Sequence, residues 1–187
     1  YVADANYGIL ERDAKFAEHM YKRHVEKGFP GHVGVQWNKT RPDRVLKTAE
    51  AFQGISEVGA SMQSLSPDVL AAIKRRNLPL EQVAEINGQL KEKGLSTQLY
   101  SELILGLPME TRQGHLEANR KLVDLGAEVF NYNLHLLPGT KMNSGETRLK
   151  YFRRTGWRLH DNAFGIYDGT AVFEGQEVVI ETTTMNM

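Results

Sequence analysis

The stretch SELILGLPMET, residues 101–111, sets an apolar run between a carboxylate, Glu102, and a Gly-Leu-Pro exit. Side chains alternate along a strand, so Glu102, Ile104 and Gly106 share one face while Leu103, Leu105 and Leu107 share the other. The three leucines suit a helix-covered side. Glu102, Ile104 and Gly106 are then left to face a crevice or barrel interior, where the missing side chain of Gly106 lets a flat ligand approach the backbone. Pro108 ends the ladder, and Glu110-Thr111 opens a helix whose first amides favour an anion. A Gly-x-Pro turn and a Glu-Thr cap are also ordinary chain punctuation, so this stretch alone does not assign a ligand.

Other apolar runs also end in polar residues. Asp4 and Asn6 close YVADAN, Gln36 and Asn38 close HVGVQWN, Gln63 and Ser64 close EVGASMQS, and His135 lies within NLHLL. The chain has no cysteine, which removes disulfides, thiolate metal sites and a Cys nucleophile together. His19 and His24 do not share a helix face and HExxH is absent, so no metal site is assigned. No GxSxG elbow exists to place a nucleophilic serine. Acid-base work by Glu102, or Schiff-base work by a lysine such as Lys39, would make the protein a TIM-barrel lyase or aldolase. The same polar-tipped scaffold without chemistry would be a ligand-binding barrel. No catalytic residue is singled out.

The elements that must position these residues follow one beat. YVADAN reads as a strand, and residues 11–28 as a helix with Phe16, Ala17, Met20, Tyr21 and Val25 at helical spacing, closed by Gly28. HVGVQWNKT reads as a second strand. Thr40 and Asp43 resemble a capping box for a helix with Pro42 in its first turn and Val45, Leu46, Ala49 and Phe52 on its apolar face. EVGASMQS is a third strand, followed by SPDVLAAIKRRN with Ser66 as N-cap and Pro67 at the first helical position. LEQVAEINGQLKEKG, STQLYSELILGLP, ETRQGHLEANRKLVDLG and VFNYNLHLLPGT continue as helix, strand, helix, strand. Strands alternating with helices require crossover connections, hence a parallel sheet with helices outside it and an α/β class. Polar residues at successive strand ends favour a TIM-like (β/α) barrel, whose ligands sit where the strand-end loops converge. After residue 143 the beat breaks: a short helix containing Leu149 and Phe152 precedes two alternating runs about Gly175, read as a β-hairpin appendage.

The totals exclude several classes. A chain of 187 residues, 41% hydrophobic and 25% charged, can bury one good core. Lys plus Arg and Asp plus Glu are both 23, so IKRRN and YFRRTGWR read as solvated faces rather than a nucleic-acid patch. No apolar run approaches the roughly 20 residues a membrane-spanning helix needs, and no signal pattern opens the chain. A cytoplasmic protein without membrane partners is the expectation.

ELILGLPMET resembles the fifth-strand motif of radical S-adenosylmethionine (radical SAM) enzymes. DANYGILERD resembles the second strand of that superfamily, SMQSLSPDVLAAIKRRN its fourth strand and following helix, and LHLLPGT its sixth, in the same order. EVVIETTTMNM is similar to the tail of the cobalamin-binding subgroup, which places a B12 domain before the radical core. The resemblance implies reductive cleavage of S-adenosylmethionine at a [4Fe-4S] cluster to a 5'-deoxyadenosyl radical, acting on an unknown small molecule. It further implies that Ile104 and Gly106 pack against adenine, with Leu136, Leu137 and Pro138 as the opposite wall. Gln63 and Ser64 would meet the ribose, and Asp4 and Asn6 the methionine end. Gln36 and Glu102 are further cofactor-binding candidates at strand ends.

The superfamily holds its cluster on a CxxxCxxC loop, which this sequence lacks. The resemblance therefore implies a piece of a longer enzyme that begins just past that loop: a partial barrel without its first strand over residues 1–143, and a C-terminal extension over 144–187. Cluster-binding and cobalamin-binding regions would then lie upstream in the same polypeptide. Glu102 stands where the motif often has glycine, and Glu110 one place later than in its short form.

Overall fold

The computed structural model describes residues 1–95 and 99–186. The start of the run read as a strand from residue 96, and the last residue of the EVVIETTTMNM tail, lie outside them. The helices follow the sequence closely. Helix α1, Glu11–Lys27, ends at Gly28, whose φ of 68° turns the chain while its N–H donates to the His24 carbonyl. Its buried stripe is Asp13, Ala14 and Ala17, with Met20 and Tyr21 packed alongside. Phe16 and Val25, expected on the apolar face, are exposed. Phe16 is one residue from Ala17, a rotation of about 100° off the stripe.

Helix α2, Pro42–Ala51, buries Val45 and Ala49, and Phe52 follows fully buried. Its cap is not the expected Thr40-Asp43 box. Asn38 Oδ1 accepts the Thr40 and Arg41 amides, each at 2.9 Å, and Asp43 pairs with the Arg41 side chain instead. Strand β1, Val58–Gln63, leads into α3, Pro67–Ala72, where Ser66 Oγ accepts the Val69 amide. This helix is shorter than the sequence pattern, because Lys74 takes a left-handed φ of 55°. Helix α4, Leu80–Glu92, strand β2, Leu99–Leu105, helix α5, Arg112–Asp124, and strand β3, Ala127–Asn133, complete the α/β part. The three strands form a parallel sheet ordered β1-β2-β3. Among the described residues no helix is long and apolar enough to cross a membrane.

The chain divides into two units. The first comprises Tyr1–Met62, Asn77–Glu102 and Arg120–Phe130. Tyr7, Trp37 and Phe52 form an aromatic knot at its centre, with ring centroids 5.9 to 6.3 Å apart. The two strands expected at YVADAN and HVGVQWNKT reduce to one parallel bridge, Tyr7 to Trp37. These segments still lie together, with the Val2 amide on Gly34 O and the Tyr7 amide on Gln36 O. The ladder fails between those bonds because Asp4 Oδ1 captures the Asn6 amide at 2.8 Å and starts a turn. Asp13 secures the exit from that turn. Its buried carboxylate accepts the Gly8 amide at 3.0 Å and the Leu10 amide at 2.9 Å.

The second unit comprises Gln63–Arg76, Leu103–Asn119 and Asn131–Met187, of which the last residue is not described. Val69, Leu107, Leu134, Leu136, Phe152 and Val179 make its core. Helix α6, Gly145–Tyr151, leaves Leu149 exposed, and Phe152 begins strand β4 rather than lying in the helix. Strands β4, Phe152–Tyr167, and β5, Thr170–Thr182, form the expected C-terminal hairpin. Its turn is not at Gly175, which pairs with Leu159 inside the ladder. The chain reverses at Asp168-Gly169, with φ of 48° and 76°, as a two-residue Asp-Gly hairpin turn requires. The hairpin root adds to residues 134–136, through Leu136 N–H to Glu177 O and Val179 N–H to Leu134 O. Glu177 there binds the Arg148 guanidinium through both oxygens and the Thr155 hydroxyl at 2.7 Å, which holds its carboxyl below the usual range.

Candidate functional site

Strand β2 alternates as its sequence dictates. Leu99, Ser101 and Leu103 are buried, while Tyr100, Glu102 and Ile104 on the other face are half-buried. Glu102 accepts a hydrogen bond from the Ser61 hydroxyl on β1. On the same pair of strands the Tyr100 ring lies across Gly59, where an added Cβ would fall 1.9 Å from a ring carbon. Gly59 is bare because Tyr100 fills its space.

Gly106 does not continue the strand face of Glu102 and Ile104. Strand β2 ends at Leu105, and Gly106 turns with φ 92°, a conformation that L-residues rarely adopt. Its amide donates to Glu110 Oε2 at 3.1 Å. Glu110, 2% exposed, receives His115 Nδ1 on its other oxygen at 3.1 Å. His115 Nε2 lies 2.8 Å from Asn131 Oδ1, and Asn131 donates through Nδ2 to Asn119 Oδ1. Asn119 closes the circuit by donating to His115 O. With a carboxylate at one ring nitrogen and an amide oxygen at the other, both nitrogens must donate, which only the imidazolium can do. The His115 pKa is accordingly raised, chiefly by the hydrogen bond to Glu110, against the opposing effect of burial. The expected N-terminal cap falls to Thr111, whose Oγ1 accepts the Gly114 amide at 3.1 Å; Glu110 braces the turn instead.

Beside this turn, within the second unit, lies a cleft of about 340 Å³. Of the candidate cofactor residues, the structure brings together Gln63, Ile104 and Leu137 on its wall, with Leu107, Leu134 and His135. Gln63 has a left-handed φ of 59°, as Gln53, Lys74, Met109 and Asp168 also do among the described non-glycine residues. His135 Nε2 lies 2.6 Å from an Arg158 guanidinium nitrogen, which can only donate, so the neutral ring carries its proton on Nδ1. Burial, then Arg158 and His160, lower its pKa and favour that neutral form.

The other candidates are placed differently. Leu136 is buried in the second unit's core, Pro138 is exposed, and Ser64 is buried with its hydroxyl accepting the Ser66 amide at 3.2 Å. Asp4, Asn6 and Gln36 are exposed in the first unit, to which Glu102 also belongs. Among the described residues, no group of three His, Asp or Glu side chains is arranged to hold a metal ion. Sequence reasoning missed the chain from Glu110 through His115 to Asn131. The spacing of Glu110 and His115 across a helix start was its one visible signal.

No family model matches the chain. Over 191 residues it is 32% identical to the cobalamin-dependent radical SAM methyltransferase TokK of Streptomyces tokunonensis, a match that covers 99% of this chain. Over 192 residues it is 31% identical to the 2-(S-pantetheinyl)-carbapenam-3-carboxylate methyltransferase of Streptantibioticus cattleyicolor, covering 100% of this chain. The chain spans 28% of the length of each of these curated relatives. Among solved structures it is similar in fold to the radical S-adenosylmethionine methyltransferase TsrM of Kitasatospora setae, solved with tryptophan and an S-adenosylmethionine analogue bound. The TM-score is 0.55 at 15% identity, over 87% of this chain and 32% of that one.

Proposed function

We propose, on the premise that this chain is homologous from end to end to a stretch of cobalamin-dependent radical SAM methyltransferases, that it forms part of the S-adenosylmethionine-binding core of such an enzyme. The observation that carries the reading is the extent of the match, 99% and 100% of the chain, with likeness of fold over 87%. The parallel sheet and its helices would be one arc of a partial (β/α) barrel, open at the strand ends where such barrels bind ligands.

The residues present fit a nucleoside. Ile104 and Leu137 offer apolar surface to a base, and the Gln63 amide can donate to or accept from ribose hydroxyls. The Gly106 turn, pinned by Glu110, holds Leu107 at the cleft wall. Asp4 and Asn6 remain proposed contacts for the methionine end, and Gln36 and Glu102 proposed cofactor contacts. The residues do not fit an iron-sulfur cluster, since none of the 187 is cysteine. Its thiolates, and a cobalamin site, would belong to other parts of a full-length enzyme. When bound, S-adenosylmethionine supplies the group-transfer chemistry; the protein's work is to bind it, orient it and exclude water. Methyl transfer is the reaction class, by analogy with the names of both relatives, and a small molecule bearing a carboxylate the substrate, by analogy with the name of the Streptantibioticus cattleyicolor relative.

Calorimetric titration with S-adenosylhomocysteine tests the reading. The parent chain should bind, and Leu137→Asp, at a position 57% exposed and so tolerant in folding, should bind about tenfold more weakly. Absence of binding by the parent, or equal affinity in the two proteins, contradicts the placement.

A further inference from the structure

A second cleft, of about 240 Å³, adjoins the first in the same unit; Ile73, Lys74 and Met142 line both. Three lysines, Lys74, Lys141 and Lys150, line it, with Glu146 as the one carboxylate among its described lining residues. The whole chain balances 23 basic against 23 acidic residues, so this wall is a local positive excess. Among the described residues neither Lys74 nor Lys141 forms a salt bridge. Lys150 sits 4.9 Å over the Tyr151 ring centroid, a cation-π contact that keeps its charge at the wall without neutralising it. Lys74 reaches the seam between the clefts from a left-handed backbone, φ 55°, a conformation that costs free energy and tends to persist where function needs it.

We infer that the second cleft is a substrate subsite for an amphipathic small molecule carrying an oxyanion, a carboxylate or a phosphate ester. The anion meets Lys74, Lys141 and Lys150, and the apolar body crosses Ile73 and Met142 toward the nucleoside cleft. Lysine suits this task as a compact point charge with three donors, tolerant of either oxyanion. The inference deepens the proposed function by naming the substrate end of the same site, and rests on that reading for the chemistry performed.

The test uses three probes with one apolar chain: hexanoate, hexyl phosphate and hexan-1-ol. Each is titrated into the full chain carrying ¹³C-methyl labels on methionine and isoleucine, with Met142 and Ile73 as reporters. At least one anion should shift both methyls, with hexan-1-ol about tenfold weaker. Preference for hexanoate supports a carboxylate substrate, and preference for hexyl phosphate a phosphate ester. The triple variant Lys74→Gln, Lys141→Gln, Lys150→Gln should lose about tenfold in anion affinity, while Lys15→Gln, Lys47→Gln, Lys121→Gln loses none. Anion affinity in the unmutated chain should also fall as salt rises, a check independent of any variant's folding. Equal binding of hexan-1-ol, an undiminished triple variant, or no shift at Met142 and Ile73 overturns the inference. S-adenosylhomocysteine titrated into the same sample separates the two readings: its failure with anion binding intact sinks only the nucleoside site.

Discussion

Two buried carboxylates organise the two units, and they are compensated in opposite ways. Asp13 in the first unit is satisfied by backbone amides, Gly8 and Leu10, so its charge rests on dipoles that are always present. Glu110 in the second unit accepts one amide, from Gly106, and shares its other oxygen with the imidazolium of His115. The first arrangement is a local cap made by residues close in sequence. The second joins a turn, a helix and a strand through Asn119 and Asn131, and it depends on a proton. The comparison shows that the turn beside the candidate nucleoside cleft is the one tied to a titrating group.

Removing Glu110 should be the more damaging of the two deletions. Glu110→Ala leaves His115 Nδ1 and the Gly106 amide without their partner and should cost about 3–5 kcal/mol in urea unfolding. Asp13→Ala strands only two neutral amides, those of Gly8 and Leu10, at about 2 kcal/mol. Equal losses would erase the distinction. Gly106→Ala sharpens it further, since a φ of 92° should cost about 1–2 kcal/mol through backbone strain alone.

The smallest expected effect is the most diagnostic. The folded-state pKa of His115 is raised, so its contribution to stability is complete below the ordinary histidine value. That contribution is lost as pH rises through the raised value. Unfolding free energy measured from below that ordinary value to well above it should therefore decline in the parent. It should decline less in His115→Gln, and in Asp13→Asn it should follow the parent. A decline unchanged in His115→Gln would assign the titration elsewhere.

Much of the fold was legible because helices announce themselves locally. Pro42, Ser66-Pro67 and the closing glycines Gly28 and Gly94 marked their boundaries, and the alternation along β2 was read correctly for Glu102, Leu103 and Ile104 but not at Gly106, where the strand has ended. What misled were residues whose meaning depends on distant partners. Phe16 and Val25 looked like core residues because hydrophobicity alone does not say which stripe of a helix is covered. Gly175 looked like a turn, although it lies in β5 with the Trp157 ring 3.4 Å from where its Cβ would stand. Asp168-Gly169 carried the stronger local turn signal and went unread. Of the candidate cofactor residues, Gln63 was named from its strand-end placement, Ile104 from the alternation along its strand and Leu137 from the family resemblance, and all three line one cleft. The brace through Glu110, His115 and Asn131 was not, because its members are brought together by tertiary packing rather than by any repeating pattern.

The ring of Tyr100 lying over bare Gly59 has an evolutionary corollary. Neither position is free to drift alone: a methyl at 59 collides with the phenol, whereas a small residue at 100 opens a void on the sheet. Homologous enzymes should therefore exchange the two sites in concert, a small residue facing a bulky one in either order, and an alignment of the two columns would reveal the pairing as correlated substitution.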